Sequence, residues 1–123
     1  MFSHVMLGVN DLEKSRKFYD AVLGTLGIGP GFANGNRYFY RSPTGNFAIT
    51  KPINGKPATN GNGSTIGFAV NSVEQGNAFH AAGVANGGMT VEDPPGIREG
   101  SKMYLAYLRD PDGNKICALH RPG

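Results

Sequence analysis

Apolar and polar positions alternate over residues 3–9, with Val5, Leu7 and Val9 on one side and His4, Met6 and Gly8 on the other. A period of two is that of a half-buried strand whose branched side faces a core. The spacing then changes. Leu12, Tyr19, Val22, Leu23 and Leu26 recur at helical intervals. Asn10 or Asp11 stands where a side-chain oxygen can cap the free amides of a first turn. Gly24 and Gly27 weaken the end of this helix, and the Gly-Ile-Gly-Pro-Gly run at 27–31 closes it. Apolar runs at 37–41 and 47–51 read as two hairpin arms. A Gly/Asn/Pro-rich linker follows.

The second half resumes the pattern. Thr65–Val70 is a strand with Ile66, Phe68 and Val70 inward, and Ser72 with Gln75 forms a capping box for a helix over 73–82. Gly83 is its expected stop. Residues 87–100 begin as a short strand and pass into a Pro/Gly loop, and 103–108 with 115–119 make another hairpin.

The halves match residue by residue. Arg41-Ser-Pro-Thr-Gly-Asn46 returns as Arg109-Asp-Pro-Asp-Gly-Asn114, each between two apolar runs. Pro presets the first turn dihedral and Gly supplies a positive φ, so both are hairpin turns. His4–Glu13 also aligns without gaps on Thr65–Glu74, with Val9/Val70, Asn10/Asn71 and Glu13/Glu74 identical. The chain is therefore an internal repeat of one strand–helix–strands module. The expected organisation is a single domain with module one at 1–52, a linker at 53–64 and module two at 65–123.

Composition narrows the setting. The formal charge is +3 and the cations are scattered, so no basic stripe with interleaved aromatics marks a nucleic-acid partner. One cysteine, Cys117, allows no internal disulfide and fits a reducing compartment. No apolar run approaches the ~18 residues of a membrane span, and no charged-then-apolar leader opens the sequence. A cytoplasmic protein without membrane or nucleic-acid partners is expected.

The opening His4-Val-Met-Leu-Gly-Val-Asn-Asp-Leu-Glu-Lys-Ser-Arg-Lys-Phe-Tyr19 and the closing Asp110-Pro-Asp-Gly-Asn-Lys115 carry a resemblance. Over nearly its whole length the chain resembles the vicinal oxygen chelate superfamily. That group includes glyoxalase I, extradiol dioxygenases, and bleomycin- and fosfomycin-resistance proteins. The resemblance implies an α+β fold in which two βαβββ modules form a curled mixed-sheet cup, often completed by a homodimer. It also implies, in the metal-dependent members, up to four His, Glu, Gln or Tyr ligands on the inner strand faces. There a divalent ion binds two adjacent substrate oxygens.

Carried over singly, those ligand positions fall on His4, on Thr65, on Cys117, and on Ile49 or, with a one-residue shift, Thr50. Only His4 is an ordinary ligand, whereas a catalytic metal needs about three from the protein. No metal and no other cofactor is expected, a divalent ion being the disfavoured alternative. The implied cup is lined by His4, Met6, Gly8, Thr65, Gly67, Cys117 and Leu119, with Arg121 at its rim. Tyr38, Phe39, Tyr40, Tyr104 and Tyr107 are candidate walls. His4 is the best catalytic candidate, because imidazole transfers protons near neutrality. His80 and His120 lie off the ligand positions. The expected function is binding of a small organic molecule in the cup. The alternative is a metal-dependent enzyme of the superfamily, lactoylglutathione lyase-like or dioxygenase-like.

Overall fold

A computed structural model describes residues 1–122; Gly123, the last position of the expected second module, lies outside the described residues. The elements run β1 (His4–Gly8), α1 (Leu12–Gly24), β2 (Phe32–Asn34), β3 (Arg37–Ser42) and β4 (Gly45–Thr50) in the first half. The second half has β5 (Ile66–Ala69), α2 (Val73–Ala85), β6 (Met89–Thr90), β7 (Gly96–Ile97), β8 (Tyr104–Arg109) and β9 (Lys115–His120). The fold is α+β. One short strand, β7, is added within the stretch read as a loop.

Local chemistry sets the helix starts. Asp11, not Asn10, caps α1: its Oδ1 accepts the Lys14 amide at 3.1 Å. Ser72 Oγ accepts the Gln75 amide at 3.0 Å, and Gln75 Oε1 accepts the Asn71 amide at 2.7 Å. Gly83 does not end α2, which continues to Ala85. The glycine is buried under the sheet instead, and a β-carbon there would overlap Leu108 Cδ1.

The expectation of a curled cup is corrected. The strands form two open sheets, ordered β1-β4-β3-β2 and β5-β9-β8-β6 with β7 pairing β8, and neither is closed or strongly curled. The pairs β1/β4 and β5/β9 are parallel and the others antiparallel. β1 and β5 are the strands that would have to join for the sheets to close. They pair only with β4 and β9, so each remains an edge.

Side chains join the halves. α1 packs on α2, and an aromatic chain crosses between the sheets. Tyr19 lies 4.8 Å from Phe18 and from Phe47, Phe47 lies 5.4 Å from Phe68, and Phe68 lies 5.7 Å from Phe79, all between ring centroids. Phe18, Tyr19, Phe47 and Phe79 belong to the core and half-buried Phe68 packs against it, as the helical period of Tyr19 and the strand period of Phe68 predicted. The second repeated turn is a further clasp. Asp112 Oδ1 accepts from the Asn10 amide at 3.1 Å and from its Nδ2 at 3.0 Å, and Asp112 Oδ2 accepts the Ser15 hydroxyl at 3.1 Å. Asn114 Nδ2 donates to the Gly8 carbonyl at 3.0 Å. Among the described residues no helix is long and apolar enough to cross a membrane.

Candidate functional site

Because the sheets stay open and their edges do not pair, space remains between β1 and β5. A cleft of about 320 Å³ lies there. That is at the lower end of the volumes that enclose small organic ligands. Its apolar floor is made by the core-facing side chains Val5, Tyr40, Phe47, Ile66 and Phe68, with Ile28 from the segment after α1. His4, Ser42, Thr44 and Asn46 supply polar groups, and Gly67 and Ala69 of β5 leave a wall of small residues. Among the described residues, the side chains lining the cleft include no carboxylate, lysine or arginine.

The floor is held by hydrogen bonds beneath it. The Tyr40 hydroxyl donates to Asp20 Oδ1 at 2.7 Å, and the same oxygen accepts the Gly31 amide at 3.0 Å. Burial pushes the Tyr40 phenol well above its ordinary pKa, and Asp20 adds to the shift. The hydroxyl therefore stays protonated and remains a donor. At the rim, Ser3 Oγ lies 2.7 Å from His4 Nδ1, which leaves Nε2 for another partner. His4 is exposed.

The strand parity read from the sequence places His4, Met6 and Gly8 together, level with Asn46, Ala48 and Thr50 of β4. Gly67 stands level with Cys117 and Tyr107. His4 and Gly67 line the cleft. Met6, Thr65, Cys117, Leu119 and Arg121 do not. Of the aromatic wall candidates, only Tyr40 reaches it; Tyr104 is buried in the core instead. The lining residues Ile28, Phe47, Phe68, Ser42, Thr44 and Asn46 carried no sequence signal of a site. Phe47 and Phe68 look like ordinary core residues in either half, and become a floor only where the halves meet.

Register decides the fourth ligand position. Met6 pairs with Ala48 as Gly67 pairs with Cys117, so the counterpart of Cys117 is Ala48, not Ile49 or Thr50. The two turns explain the slip. Arg41 pairs with Asn46 across four intervening residues, whereas Arg109 pairs with Lys115 across five. Ile49 consequently points into the core and is fully buried.

The inherited donor set is therefore His4, Ala48, Thr65 and Cys117. It does not fit a divalent ion of the family type: one imidazole, a methyl, an exposed hydroxyl and a buried thiol offer no carboxylate and fewer than three good ligands. Cys117 is 5% exposed, and burial pushes its thiol pKa up, against the thiolate a metal requires. Among the described residues no three of His, Cys, Asp and Glu stand together as a metal site. The other two histidines are engaged elsewhere. His80 Nε2 lies 3.1 Å from Thr90 Oγ1, its pKa lowered by burial, and His120 Nδ1 lies 3.2 Å from the Val70 carbonyl.

A repeated strand–helix–strands module and a ligand-sized cleft at the module junction define a class, and comparison with known proteins agrees. The chain belongs to the Glyoxalase/Bleomycin resistance protein/Dioxygenase superfamily, whose family model matches residues 1–118. It is similar to a glyoxalase/bleomycin resistance protein from Albidiferax ferrireducens T118, with 77% identity over 99% of each chain and a TM-score of 0.96. A glyoxalase-related enzyme from Fulvimarina pelagi shares 24% identity over 99% of this chain and 88% of its own, with a TM-score of 0.76. A lactoylglutathione lyase from Agrobacterium tumefaciens shares 17% over 98% and 92%, with a TM-score of 0.67. These last two show the shared fold alone. No curated protein matches the sequence.

Proposed function

We propose that the chain binds a small organic molecule in the cleft between β1 and β5, without a divalent metal. The cleft itself carries this reading: it joins an apolar floor to a rim of one imidazole, one amide and two hydroxyls. Such a surface takes up an apolar body by burial and orients it through a few hydrogen bonds. The inherited donor set supports the metal-free part, since His4 stands alone among the four positions. Binding as a carrier or sequestering protein needs nothing further from these residues.

The test pairs metal with ligand. Protein purified without chelators or an affinity tag is analysed for metal and titrated with zinc, nickel and manganese. The expected result is substoichiometric metal and no tight binding. Stoichiometric metal that disappears in His4→Ala would instead establish the alternative, a metal-dependent enzyme of lactoylglutathione lyase-like or dioxygenase-like chemistry. In parallel, a panel of small aromatic and aliphatic molecules is screened by thermal shift, because a ligand bound only by the native state raises its melting temperature. Phe68→Ala removes an aromatic side chain from the apolar floor and should reduce that rise.

The reading includes a homodimer in the cytoplasm with no nucleic-acid partner. Supporting it, β1 and β5 keep unpaired edges, and Phe32, Met89 and Ile97 are exposed apolar residues. Sedimentation equilibrium at micromolar concentration should give twice the chain mass; a monomer would remove this part.

A further inference from the structure

The cleft between β1 and β5 has a neighbour. A second cavity, of about 310 Å³, adjoins it, and Ile28, Ser42, Thr44, Phe68 and Ala69 line both. Leu26 and Gly27 line the second cavity and not the first. With Leu26, Ile28, Phe68 and Ala69 among its walls, the second cavity continues the apolar character of the cleft floor. Among the described residues no carboxylate lines either cavity. Arg41 is the charged residue of the second, and its guanidinium carbon lies 4.5 Å over the Phe32 ring.

The shared walls are not equally fixed. Phe68 and Ala69 belong to β5, and Ser42 and Thr44 to the β3–β4 hairpin. Ile28 stands outside any strand or helix, on the segment that links α1 to β2. Its amide donates to the Leu23 carbonyl at 3.2 Å, and further on the Gly31 amide donates to Asp20 Oδ1 at 3.0 Å. At Gly31 the Tyr40 ring packs so closely that a β-carbon would overlap it. Beside Ile28 the surroundings are open: a β-carbon at Gly27 or at Gly29 would meet nothing within 4 Å. Gly27 also has φ 79°, a region glycine enters at little cost. The isoleucine side chain is half-buried and held by packing against the core. It is thus the shared wall that can move aside with least loss.

We propose that the two cavities form one ligand site with Ile28 between its halves, and that this site takes an elongated apolar chain. A compact ring fills one half and gains nothing from the other. A slim chain that passes Ile28 and Phe68 buries methylenes in both, and each buried methylene adds to the affinity. The site therefore reads length, and Ile28 is the residue that determines this specificity. The Ser42 and Thr44 hydroxyls, on the shared wall, are placed to meet a polar end group. The inference rests on the cleft as the ligand site and adds the class of ligand, an extended aliphatic molecule.

Straight-chain primary alcohols, from butanol to decanol, are titrated into the full-length protein and followed by NMR. Ile66 and Gly67 amides report the cleft, and Leu26 and Gly27 amides report the second cavity. Short chains should shift the cleft amides alone. Longer ones should shift both sets while affinity keeps rising about fourfold per added methylene. In Ile28→Trp, which fills the passage, that rise should stop at the length where the wild-type Gly27 amide first moves. In Ile28→Ala, which clears it, the Gly27 amide should respond to shorter chains than in the wild type. Leu26 and Gly27 amides that stay still at every length, with affinity levelling off once the cleft is full, overturn the joined site while the cleft stands. If no alcohol shifts Ile66 and Gly67, the cleft reading itself falls. A rise that continues in folded Ile28→Trp overturns the role of Ile28. Should that variant not fold, an unchanged onset length in Ile28→Ala overturns it instead.

Discussion

Gly83 shows how one residue's role depends on what packs over it. Glycine in a helix interior is about 1 kcal/mol worse than alanine, so Gly83→Ala would stabilise an exposed helix. Here the site is closed. The new methyl would overlap Leu108 Cδ1, with Phe18 Cε1 at 3.3 Å and Val22 Cγ2 at 3.4 Å, and Leu108 is itself fully buried and cannot swing away. Overpacking of this kind outweighs the propensity gain, so a net loss of about 1–3 kcal/mol is expected, read as a lower urea midpoint with unchanged slope. A stabilised variant would mean that α2 does not sit this close to β8. In sequence, a glycine near the end of a helical pattern carries the same letter whether it caps or packs. Only the facing strand distinguishes the two, which is why the helix was expected to stop there.

At the scale of elements, hairpin turns that look alike do different work. The first turn, Arg41–Asn46, is exposed at most of its positions and mainly reverses the chain. The second is built around Asp110, which is 3% exposed. Its Oδ1 accepts the amides of Asp112 and Asn114, both at 2.9 Å, and its Oδ2 accepts the Tyr19 hydroxyl at 2.7 Å and Asn114 Nδ2 at 2.9 Å. Burial raises the carboxyl pKa, and the four donors work against that rise. Asp110→Asn would aim an NH₂ group at two of those donors. The expected loss is about 2–4 kcal/mol, with β8, β9 and the start of α1 losing amide protection together. A loss below about 0.5 kcal/mol would mean that the donors readily find water instead.

The strands and helices themselves were legible because each carries its own period, as in the alternation of Val5, Leu7 and Val9. The register of β4 was not. It depends on four against five residues between paired turn ends, and a gapless repeat hides a difference of one. The same slip moves the fourth ligand position from Ile49 or Thr50 to Ala48, though the scarcity of ligands follows from either alignment. The cleft was illegible for another reason. His4 and Gly67 were visible as strand residues of one parity, but the floor between them is set by how the two open sheets are placed, and no local pattern encodes that.

For the whole molecule, the question is whether two similar halves fold as one. The repeat alone would allow two weakly coupled modules, since each has its own helix and sheet. The contacts argue otherwise. Phe47 and Phe68 meet edge to face across the junction at an interplanar angle of 73°, and Asp112 in the second half takes three hydrogen bonds from Asn10 and Ser15 in the first. A domain of this size with a shared core is expected to unfold in one step. Native-state hydrogen exchange should therefore give β4 and β9 amides the same opening free energy, equal to the global value. Asp112→Ala removes the acceptor from three donors at the junction and should lower that free energy by about 1–3 kcal/mol. The decisive point is where the loss appears. If the halves form a single unit, Phe47 and Ile49 amides on β4 fall by as much as Ile116 and Ala118 amides on β9, although Asp112 lies on the β9 side. If only the β9 amides fall, the modules open separately. The cleft would then be a gap between two bodies that part and rejoin, and ligand affinity should drop in Asp112→Ala even though Asp112 does not line the cleft.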